Sequence, residues 1–344
     1  MEAYLYEKLD DGEVECRLCH HACTIKPGRS GICGVRSNNG QDLISRVYGR
    51  LVAQNVDPIE KKPLYHFLPG SGSYSIATVG CNFKCRFCQN ADIAQMPKDR
   101  GGAVVGSSIR PESVVADALR RGSQSIAYTY TEPTIYFEFA YDTARIAHQK
   151  GLRNVFVTNG YMSAPALEMI APYLDAANVD LKAFKEDYYK TYCGARLEPV
   201  LDTLRHMKAL GVWVEVTTLV VPGLNDDPDE LQELAGFIAE QLGPETPWHI
   251  SRFHPTYRMT DRPPTPLGTL LSACEIGTRA GLHYVYLGNV PGSEGANTHC
   301  HQCGQLLIER TGFAIGRNRI VDDRCPDCHA QVHGVGMGGG TGGR

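Results

Sequence analysis

Strand-like and helix-like segments alternate through the middle of this chain, and this alternation limits the folds open to it. Apolar or β-branched runs lie at 73–79, 123–130, 153–158, 176–182, 212–221, 248–253 and 283–288. Amphipathic segments lie between most of these runs, for example at 111–122, 137–151, 198–211 and 228–243. Repeated strand–helix units predict an α/β fold with a parallel sheet. The alternation alone does not distinguish a full or partial barrel from an open, doubly wound sheet.

Unusual residues follow six of the predicted strands. Ordinary turn chemistry accounts for some of these segments when each is taken alone. The carboxyl ends of parallel strands, however, meet at one face of a barrel or sheet, where the chemistry of such folds takes place. The six ends therefore predict one functional mouth. They carry, in order, the cysteine triplet of 81–88, "TEP" (131–133), "TNG" (158–160), Asp180 with Lys182, "PGLNDD" (222–227) and "FHP" (253–255).

The chain has 13 cysteines, a high number for its 344 residues. Its first residues contain no apolar run of the signal-peptide kind, and no stretch approaches about 18 apolar residues. We therefore expect a cytoplasmic protein without a membrane segment, whose cysteines bind metals rather than form disulfides. The net charge of −4 argues against a general nucleic-acid or membrane-surface binder. Eleven cysteines form three clusters: Cys16, Cys19, Cys23 and Cys33; Cys81, Cys85 and Cys88; and Cys300, Cys303, Cys325 and Cys328.

The central cluster, "CNFKCRFC", supplies three thiolates where most cysteine metal sites use four. A structural zinc site would need a fourth cysteine or histidine. A four-iron cluster binds up to one thiolate for each iron, so three thiolates leave one iron open to an external ligand. An amine and a carboxylate of a small molecule could chelate that iron. The triplet thus predicts a [4Fe–4S] cluster with an exchangeable position.

The spacing C-x3-C-x2-C, with the aromatic Phe87 before the last cysteine, resembles the radical S-adenosylmethionine (SAM) enzymes. The resemblance implies a partial (β/α) TIM-like barrel in which Cys81, Cys85 and Cys88 hold the cluster and its open iron binds SAM. It implies that one electron, from a reductant such as flavodoxin or ferredoxin, cleaves SAM. The 5′-deoxyadenosyl radical then abstracts hydrogen from a substrate.

Other strand ends extend the resemblance to the pyruvate formate-lyase activating enzymes. Their Gly-Gly-Glu turn is reduced in "YTYTEP" to its acid, and their "DTNG" and "LDLK" stretches correspond to "VTNG" and "VDLK" here. Val157 thus replaces an aspartate of that family, and Thr217 stands where it has an arginine. A histidine after the sixth strand matches as well. The resemblance implies contacts to SAM or substrate by Phe87, Glu132, Thr158, Asn159, Asp180, Lys182 and His254.

A closer resemblance, to the AmmeMemoRadiSam system radical SAM enzymes, covers nearly the whole chain. It rests on "CRLCHHACTIKPGRSGICGVR", "NVDPIEKKPLYHFLPGS" (55–71), "YTYTEPTIYFEF", "YCGARLEPVL" and the terminal cysteine pairs. This resemblance implies Memo-like and AMMECR1-like protein partners and an unidentified substrate, either a small molecule or a protein or RNA side group. Two alternatives stay open: a glycyl-radical-enzyme activase, and a non-enzymatic electron-transfer or metal-sensing protein.

The outer cysteine clusters predict two satellite modules around a barrel at 71–292. Residues 296–333 contain two CxxC pairs around a predicted hairpin, which is the spacing of a zinc ribbon. We favour structural zinc there over an auxiliary iron–sulfur cluster. Residues 1–70 form a Cys-rich module whose four thiolates suit zinc or a second [4Fe–4S] cluster, with zinc slightly ahead. The glycine-rich residues 334–344 are expected to be a flexible tail.

Several single residues have two interpretations. Cys193 could return a hydrogen atom to the substrate, although a small buried side chain is the simpler interpretation. Cys274 lies in a predicted helix and is expected in the core. Tyr128 and Tyr130 are expected to pack rather than relay a radical. The ribbon's arginines, including Arg310, are expected on a solvated face rather than bound to nucleic acid.

Overall fold

The structure, a computed structural model, describes residues 1–338. Its strands supply one large sheet and several small ones. The strands are β1 (Tyr6–Lys8), β2 (Val14–Cys16), β3 (Thr24–Ile25), β4 (Arg36–Asn38), β5 (Leu43–Ser45), β6 (Arg50–Leu51), β7 (Ala53–Pro58), β8 (Gly72–Ala77), β9 (Ser107–Ser108), β10 (Ser125–Tyr128), β11 (Arg153–Thr158), β12 (Ala176–Asp180), β13 (Trp213–Val220), β14 (Trp248–Arg252), β15 (Val285–Gly288), β16 (Thr298–His299), β17 (Leu306–Thr311) and β18 (Ala314–Asn318).

The α-helices lie mainly between the strands of the large sheet. Several begin with proline, which suits a first turn whose N–H groups lack partners, and Asp227 caps α8 by accepting from the N–H groups of Asp229 and Glu230. None of the helices in the described residues has the length and apolar character needed to cross a membrane. The helices are α1 (Ala91–Ala94), α2 (Met96–Asp99), α3 (Pro111–Arg120), α4 (Phe137–Gln149), α5 (Ala164–Ile170), α6 (Glu186–Tyr188), α7 (Glu198–Ala209), α8 (Pro228–Phe237) and α9 (Leu267–Arg279), with π-helical turns at Tyr189–Cys193 and Ile238–Leu242.

The large sheet has the strand order β15-β14-β13-β12-β11-β10-β8-β7. β8 and β10 to β15 are parallel, so all seven strands predicted from the apolar runs are present. The edge strand β7 pairs antiparallel to β8, from Ala53 opposite Ala77 to Pro58 opposite Gly72. It lies before the predicted domain boundary at residue 70. Its sequence "AQNVDP" is too polar to stand out as a strand, because most of its side chains do not enter the core.

The segment 59–68, between β7 and β8, fills one end of the curved sheet. Ile59, Leu64 and Phe67 of this segment form a buried cluster with alanines and a valine of β10, β11 and β12. One short segment therefore contacts three neighbouring strands at once, which requires the sheet to wrap around it. The architecture is an α/β partial barrel, as predicted. The side chains that fill its closed end come from the 59–68 segment as well as from the strands.

A buried carboxylate joins this segment to the barrel wall. Glu215 of β13 accepts hydrogen bonds from the backbone N–H groups of Tyr65 (3.0 Å) and His66 (2.8 Å) and from Trp213 Nε1 (3.1 Å). His249 Nε2 lies 2.7 Å from Glu215 Oε2. Burial alone would raise the pKa of Glu215, but the hydrogen bond from His249 and the nearby His66 hold it below its ordinary value.

The N-terminal module packs against the helix side of the barrel. Its largest sheet has the order β1-β2-β3. Arg36 of β4 forms a 2.6 Å ion pair with Glu138 of α4, and both side chains are buried. Arg36 also donates to the carbonyl of Tyr4 at 2.6 Å. Because a buried charge without its partner is costly, this pair fixes the module on the barrel.

The C-terminal ribbon, β16-β17-β18, lies at the closed end of the barrel. Arg310 is buried and donates to the carbonyl of Tyr65 at 2.9 Å, so it joins the ribbon to the 59–68 segment instead of facing solvent as predicted. The expected flexible tail begins with ordered contacts: Val335 pairs with Phe67, and Met337 is buried in the ribbon core. Apolar side chains at these two positions explain the packing. The rest of the expected tail lies outside the described residues.

We predict that Glu215→Ala destabilises the protein by about 3–5 kcal/mol, because His249 and three N–H donors lose a buried partner. Urea unfolding would measure this, with the exposed Glu233→Ala as matched control, expected within about 0.5 kcal/mol of wild type. Since folding lowers the pKa of Glu215, its contribution is present at neutral pH and lost as pH falls through the acidic range. The difference between wild type and variant should therefore shrink on acidification, and equal unfolding of the two variants would refute the role.

Candidate active site at the carboxyl ends of the strands

The cysteine loop lies between β8 and α1, at the mouth of the barrel. It begins at Gly80, whose φ of +105° favours glycine and whose Cβ, if present, would lie 2.8 Å from Val35 Cγ1. Backbone hydrogen bonds tie the loop to the π-helical turn 189–193: Lys84 N–H donates to the Cys193 carbonyl (2.7 Å) and Arg86 N–H to the Tyr192 carbonyl (3.0 Å). Tight turns on both sides thus hold the loop's backbone in place.

A half-buried lysine that the sequence does not single out supports the same loop. Lys98 of α2 donates to the carbonyls of Cys81 (2.7 Å) and Phe83 and to Gln95 Oε1 (3.1 Å). Burial lowers its pKa, whereas the Cys81 thiol raises it. A lysine in a short polar helix carries no distinguishing sequence signal, so only the fold reveals this role.

The three thiols suit a multi-iron cluster better than a single ion. Burial raises the pKa of Cys81 and raises that of Cys88 to about 11, while Lys98 and Lys182 oppose the rise, so a metal must displace protons here. In the described residues, the only sets of three or more ligand atoms within 4.8 Å of one another lie elsewhere, near the C-terminus. Thiolates on one zinc ion would be about 3.8 Å apart. The wider spacing fits thiolates that each bind a different iron.

Glu132 connects two of the predicted strand ends. Its carboxylate is buried and accepts from Thr134 N–H (3.0 Å), Thr158 Oγ1 (2.7 Å) and Asn159 N–H (2.8 Å). Burial raises the pKa of Glu132, and these hydrogen bonds lower it, with a net rise. Glu132 therefore positions the "TNG" turn, in addition to any contact with an ammonium group.

Asn159 carries this connection to the cysteine loop. Its Nδ2 donates to Asn82 Oδ1 at 2.7 Å and lies 3.8 Å from Cys81 Sγ. Gly160, which completes the turn, has a φ of +69°, and a Cβ there would lie 2.9 Å from Val179 Cγ1. The structure thus brings Glu132, Thr158 and Asn159 next to the first cysteine, as their positions after parallel strands predict.

Lys182 and Asp180 lie on the other side of the mouth. Lys182 Nζ is 2.8 Å from Asp180 Oδ2 and 5.9 Å from the centre of the Phe87 ring. Burial would lower the pKa of Lys182, but Asp180 and the thiols of Cys85 and Cys193 raise it well above its ordinary value. Lys182 is thus a cation beside the site of an anionic cluster. His254, by contrast, is exposed to solvent.

Cys193 lies closer to the cluster loop than the sequence could show. It is fully buried in the π-helical turn, and the nearby Cys193 thiol, together with burial, raises the Cys85 pKa well above its ordinary value. The two backbone hydrogen bonds described above place it there. Cys274 is half-buried in α9 and packs against the core, as expected in part.

A polar group that joins β7 to the strand end after β10 was also not predicted. Tyr130 has φ +62°, its carbonyl accepts from Asn90 Nδ2 (2.8 Å), and its hydroxyl donates to Asp57 on β7. Lys62 Nζ lies 2.6 Å from Asp57 and 4.5 Å from the Tyr130 ring centre. Burial lowers the pKa of Lys62 to about 8, although Asp57 raises it. We call Asp57, Lys62 and Tyr130 the Asp57 group.

A second metal-ligand group lies in the ribbon, at the opposite end of the barrel. Cys300 Sγ is 3.5 Å from Cys328 Sγ, Cys303 Sγ is 3.7 Å from Cys325 Sγ, and all four lie within 4.8 Å of one another. This is the size of a tetrahedral zinc site. The ring nitrogens of His283, His301 and His333 form another such set nearby. Its histidines come from three separate segments, so no local spacing signals it.

We predict that Lys98→Met weakens cluster binding, because two loop carbonyls lose their donor. Supporting residues of metal sites typically contribute about 10–100-fold in metal affinity or activity. Iron and sulfide bound after anaerobic reconstitution should fall, as should resistance to a chelator. Lys84→Met in the same loop is the matched control, since the Lys84 side chain is exposed to solvent. Equal iron retention by both variants would contradict the prediction.

Comparison with known proteins agrees with this geometry. A profile of the Radical SAM superfamily matches residues 75–237. An uncharacterized protein of Methanocaldococcus jannaschii is 49% identical over 333 residues, covering 96% of this chain and 98% of that protein. The pyruvate formate-lyase-activating enzyme of Clostridium pasteurianum is 25% identical over 46% of this chain and 66% of its own length.

Two solved structures share the fold at low sequence identity. Streptococcus suis SuiB bound to S-adenosylmethionine has a TM-score of 0.51 at 15% identity, covering 67% of this chain and 53% of SuiB. A radical SAM methyltransferase from Sphaerobacter thermophilus has a TM-score of 0.50 at 18% identity, covering 69% and 71%. The matched profile runs from β8 to α8 and includes the cysteine loop, Glu132, Asn159 and Lys182. The chain therefore belongs to the radical SAM superfamily and is a radical SAM enzyme.

Proposed function

We propose that this enzyme removes a hydrogen atom from a polar substrate group held in the mouth of the barrel. The substrate is a small molecule or a side group of a protein or RNA. The observation that carries the proposal is the Asp57 group, which joins a cation, an anion and the phenol of Tyr130 at the strand end after β10. Tyr130 links the two sites, since its carbonyl binds Asn90, two residues after Cys88, and its hydroxyl binds Asp57.

The residues of the mouth divide the work of holding the cofactors. When bound, the [4Fe–4S] cluster and SAM supply a 5′-deoxyadenosyl radical as the hydrogen-abstracting species. Cys81, Cys85 and Cys88 would hold the cluster, and Lys182 would balance its negative charge. Glu132 would hold the "TNG" turn and accept from the SAM ammonium.

The remaining SAM contacts come from both sides of the mouth. Thr158, Asn159 and Asp180 would contact the carboxylate and ribose of SAM through their hydroxyl, amide and carboxylate groups. Phe87 offers an aromatic face beside Lys182. His254, exposed at the end of the sixth strand, would close over the bound cofactor or substrate.

The proposed setting is the cytoplasm, with protein partners. None of the 13 cysteines, all of which lie in the described residues, forms a disulfide, which suits a reducing compartment. A one-electron donor of the flavodoxin or ferredoxin class would reduce the cluster. The similarity to AmmeMemoRadiSam system enzymes favours Memo-like and AMMECR1-like proteins as partners. Co-purification from a host that expresses all three chains would test this, and separate elution of each would contradict it.

A glycyl-radical-enzyme activase is the second candidate. The 25% identity to the Clostridium pasteurianum activating enzyme favours it, although that similarity covers 46% of this chain. The ribbon and the N-terminal module exceed a minimal activase and favour the first candidate. Incubation with candidate glycyl-radical proteins and SAM would decide, because an activase produces a glycyl EPR doublet in its partner. Membership of an enzyme superfamily decides against the electron-carrier and metal-sensing alternatives.

The ribbon is proposed to hold one structural zinc ion through Cys300, Cys303, Cys325 and Cys328. Four closely spaced thiolates close the coordination shell and leave no position for a substrate. The ribbon's buried contact through Arg310 joins it to the closed end of the barrel, away from the mouth. Its role is therefore proposed to be stability rather than catalysis or nucleic-acid binding.

We predict that Cys85→Ala abolishes SAM cleavage, because a cluster needs all three thiolates to leave its fourth iron for SAM. The reconstituted, reduced protein is incubated anaerobically with SAM, and 5′-deoxyadenosine is measured by mass spectrometry. Cys274→Ala, far from the mouth in sequence and fold, is the control and should match wild type. Product from Cys85→Ala, or a reducible wild-type cluster that does not bind SAM, would refute the assignment.

We predict that Glu132→Gln weakens SAM binding about tenfold or more, because an amide keeps one acceptor oxygen and turns its N–H groups toward the donors of the other, either Asn159 or Thr134 and Thr158. The loss corresponds to roughly 1–3 kcal/mol for a mismatched buried hydrogen bond. Calorimetry on the reconstituted protein measures it, with the exposed Glu112→Gln as control. Unchanged affinity in Glu132→Gln would show that the turn keeps its shape without this carboxylate.

A further inference from the structure

The four N-terminal cysteines surround one pocket between their module and the barrel. Cys16 and Cys33 are buried, and Cys19 and Cys23 are half-buried. All four cysteines line this pocket, and Asn82 of the cysteine loop forms part of its wall. The cysteines thus face a shared space that also borders the catalytic cysteine loop.

Two buried donors on this pocket have no partner in the described part of the chain. They are Arg36 Nε and Asn82 Nδ2, in side chains that are 2% and 1% exposed. Buried N–H groups are rarely left unpaired, because each such group costs about 1–3 kcal/mol. An anionic group with several acceptor atoms in the pocket would satisfy both.

The spacing of the thiols distinguishes a cluster from a zinc ion, and the ribbon serves as an internal reference. All four ribbon Sγ atoms lie within 4.8 Å of one another, as thiolates on one ion require. Among the described residues, no three of Cys16, Cys19, Cys23 and Cys33 form such a set. The catalytic triplet shows the same wider spacing. Thiolates that each bind a separate iron are held apart by the cluster itself.

We propose that Cys16, Cys19, Cys23 and Cys33 bind a second [4Fe–4S] cluster, which passes electrons to the catalytic cluster. Four thiolates leave no iron open, so this cluster serves electron transfer rather than substrate binding. Arg36 Nε and Asn82 Nδ2 donate to its sulfur atoms. This assignment reverses the slight preference for zinc that the sequence alone gave.

The module's contacts provide a short path between the two sites. His21 Nε2 lies 2.9 Å from the Asn82 carbonyl, and Asn82 Oδ1 lies 3.8 Å from Cys81 Sγ. A flavodoxin- or ferredoxin-class donor gives one electron to the second cluster, reducing it from the 2+ to the 1+ state. That electron then moves to the catalytic cluster, and the second cluster returns to its 2+ state. Each SAM molecule that is cleaved consumes one electron. The relay rests on the proposed function, whereas the presence of the second cluster does not.

Metal analysis of the full chain tests the cluster directly. A Cys81→Ala/Cys85→Ala/Cys88→Ala variant, reconstituted anaerobically, should retain about four iron and four sulfide per chain, with about one zinc in the ribbon. Its reduced form should give the EPR signal of a [4Fe–4S]⁺ cluster. Adding Cys19→Ser should remove the iron and leave the zinc, whereas adding Cys274→Ser should change neither. Two zinc without iron, about two iron per chain, or no bound metal would each overturn the proposal.

The relay has its own readout, which separates its failure from that of the cluster. In an otherwise wild-type chain, Cys19→Ser should slow reduction of the catalytic cluster by reduced flavodoxin about tenfold or more, followed by stopped-flow absorbance. Far-UV circular dichroism and an unchanged SAM affinity would show that the fold and the mouth are intact. An unchanged rate, with the second cluster shown by iron analysis of the triple variant, would exclude the relay and keep the cluster. If the catalytic cluster of Cys274→Ser is also reduced slowly, the slow rate of Cys19→Ser is not specific, and the relay is excluded.

Discussion

The mouth of this enzyme depends on one buried carboxylate. Glu132 lies after β10, and its hydrogen bonds reach Thr158 and Asn159 after β11. Asn159 in turn donates to Asn82 in the loop after β8. Three successive strand ends are therefore held in one geometry by a short chain of hydrogen bonds, with every step buried. Without Glu132, the "TNG" turn would lose the acceptor for two of its donors. The cysteine loop would then lose the fixed position of Asn159, which donates to Asn82.

The two ends of the barrel have different tasks. At the closed end, the backbone of the 59–68 segment donates to Glu215 and accepts from Arg310 of the ribbon, so the segment has fixed partners on two sides. At the mouth, several polar groups are grouped around a space in which cofactors can bind. This division follows from parallel strands, because their carboxyl ends carry loops that vary without disturbing the sheet. The N-terminal module joins the mouth, and the C-terminal module joins the closed end.

The sequence predicts the sheet well because its signal is local. Each buried strand is an apolar run, and each functional residue predicted after β10, β11 and β12 is set by its place at a strand end. β7 escapes notice because its polar side chains lie at an edge. Lys98 and the Asp57 group escape because their roles depend on contacts between segments distant in the chain. Arg310 was assigned to solvent for the same reason: its partner, the carbonyl of Tyr65, lies 245 positions away.

The bridge between Phe67 and Val335 joins the floor of the barrel to almost the last described residues. A ribosome releases the C-terminal segment only after the whole barrel has been made, so the floor lacks its final cover during synthesis. Binding that favours the folded ribbon also favours the covered floor, because the two share these contacts. A zinc ion bound as proposed by the ribbon would thus be thermodynamically linked to barrel stability. With that ion in the ribbon, a cell short of zinc would lose barrel stability even though the ribbon lies at the far end from the chemistry.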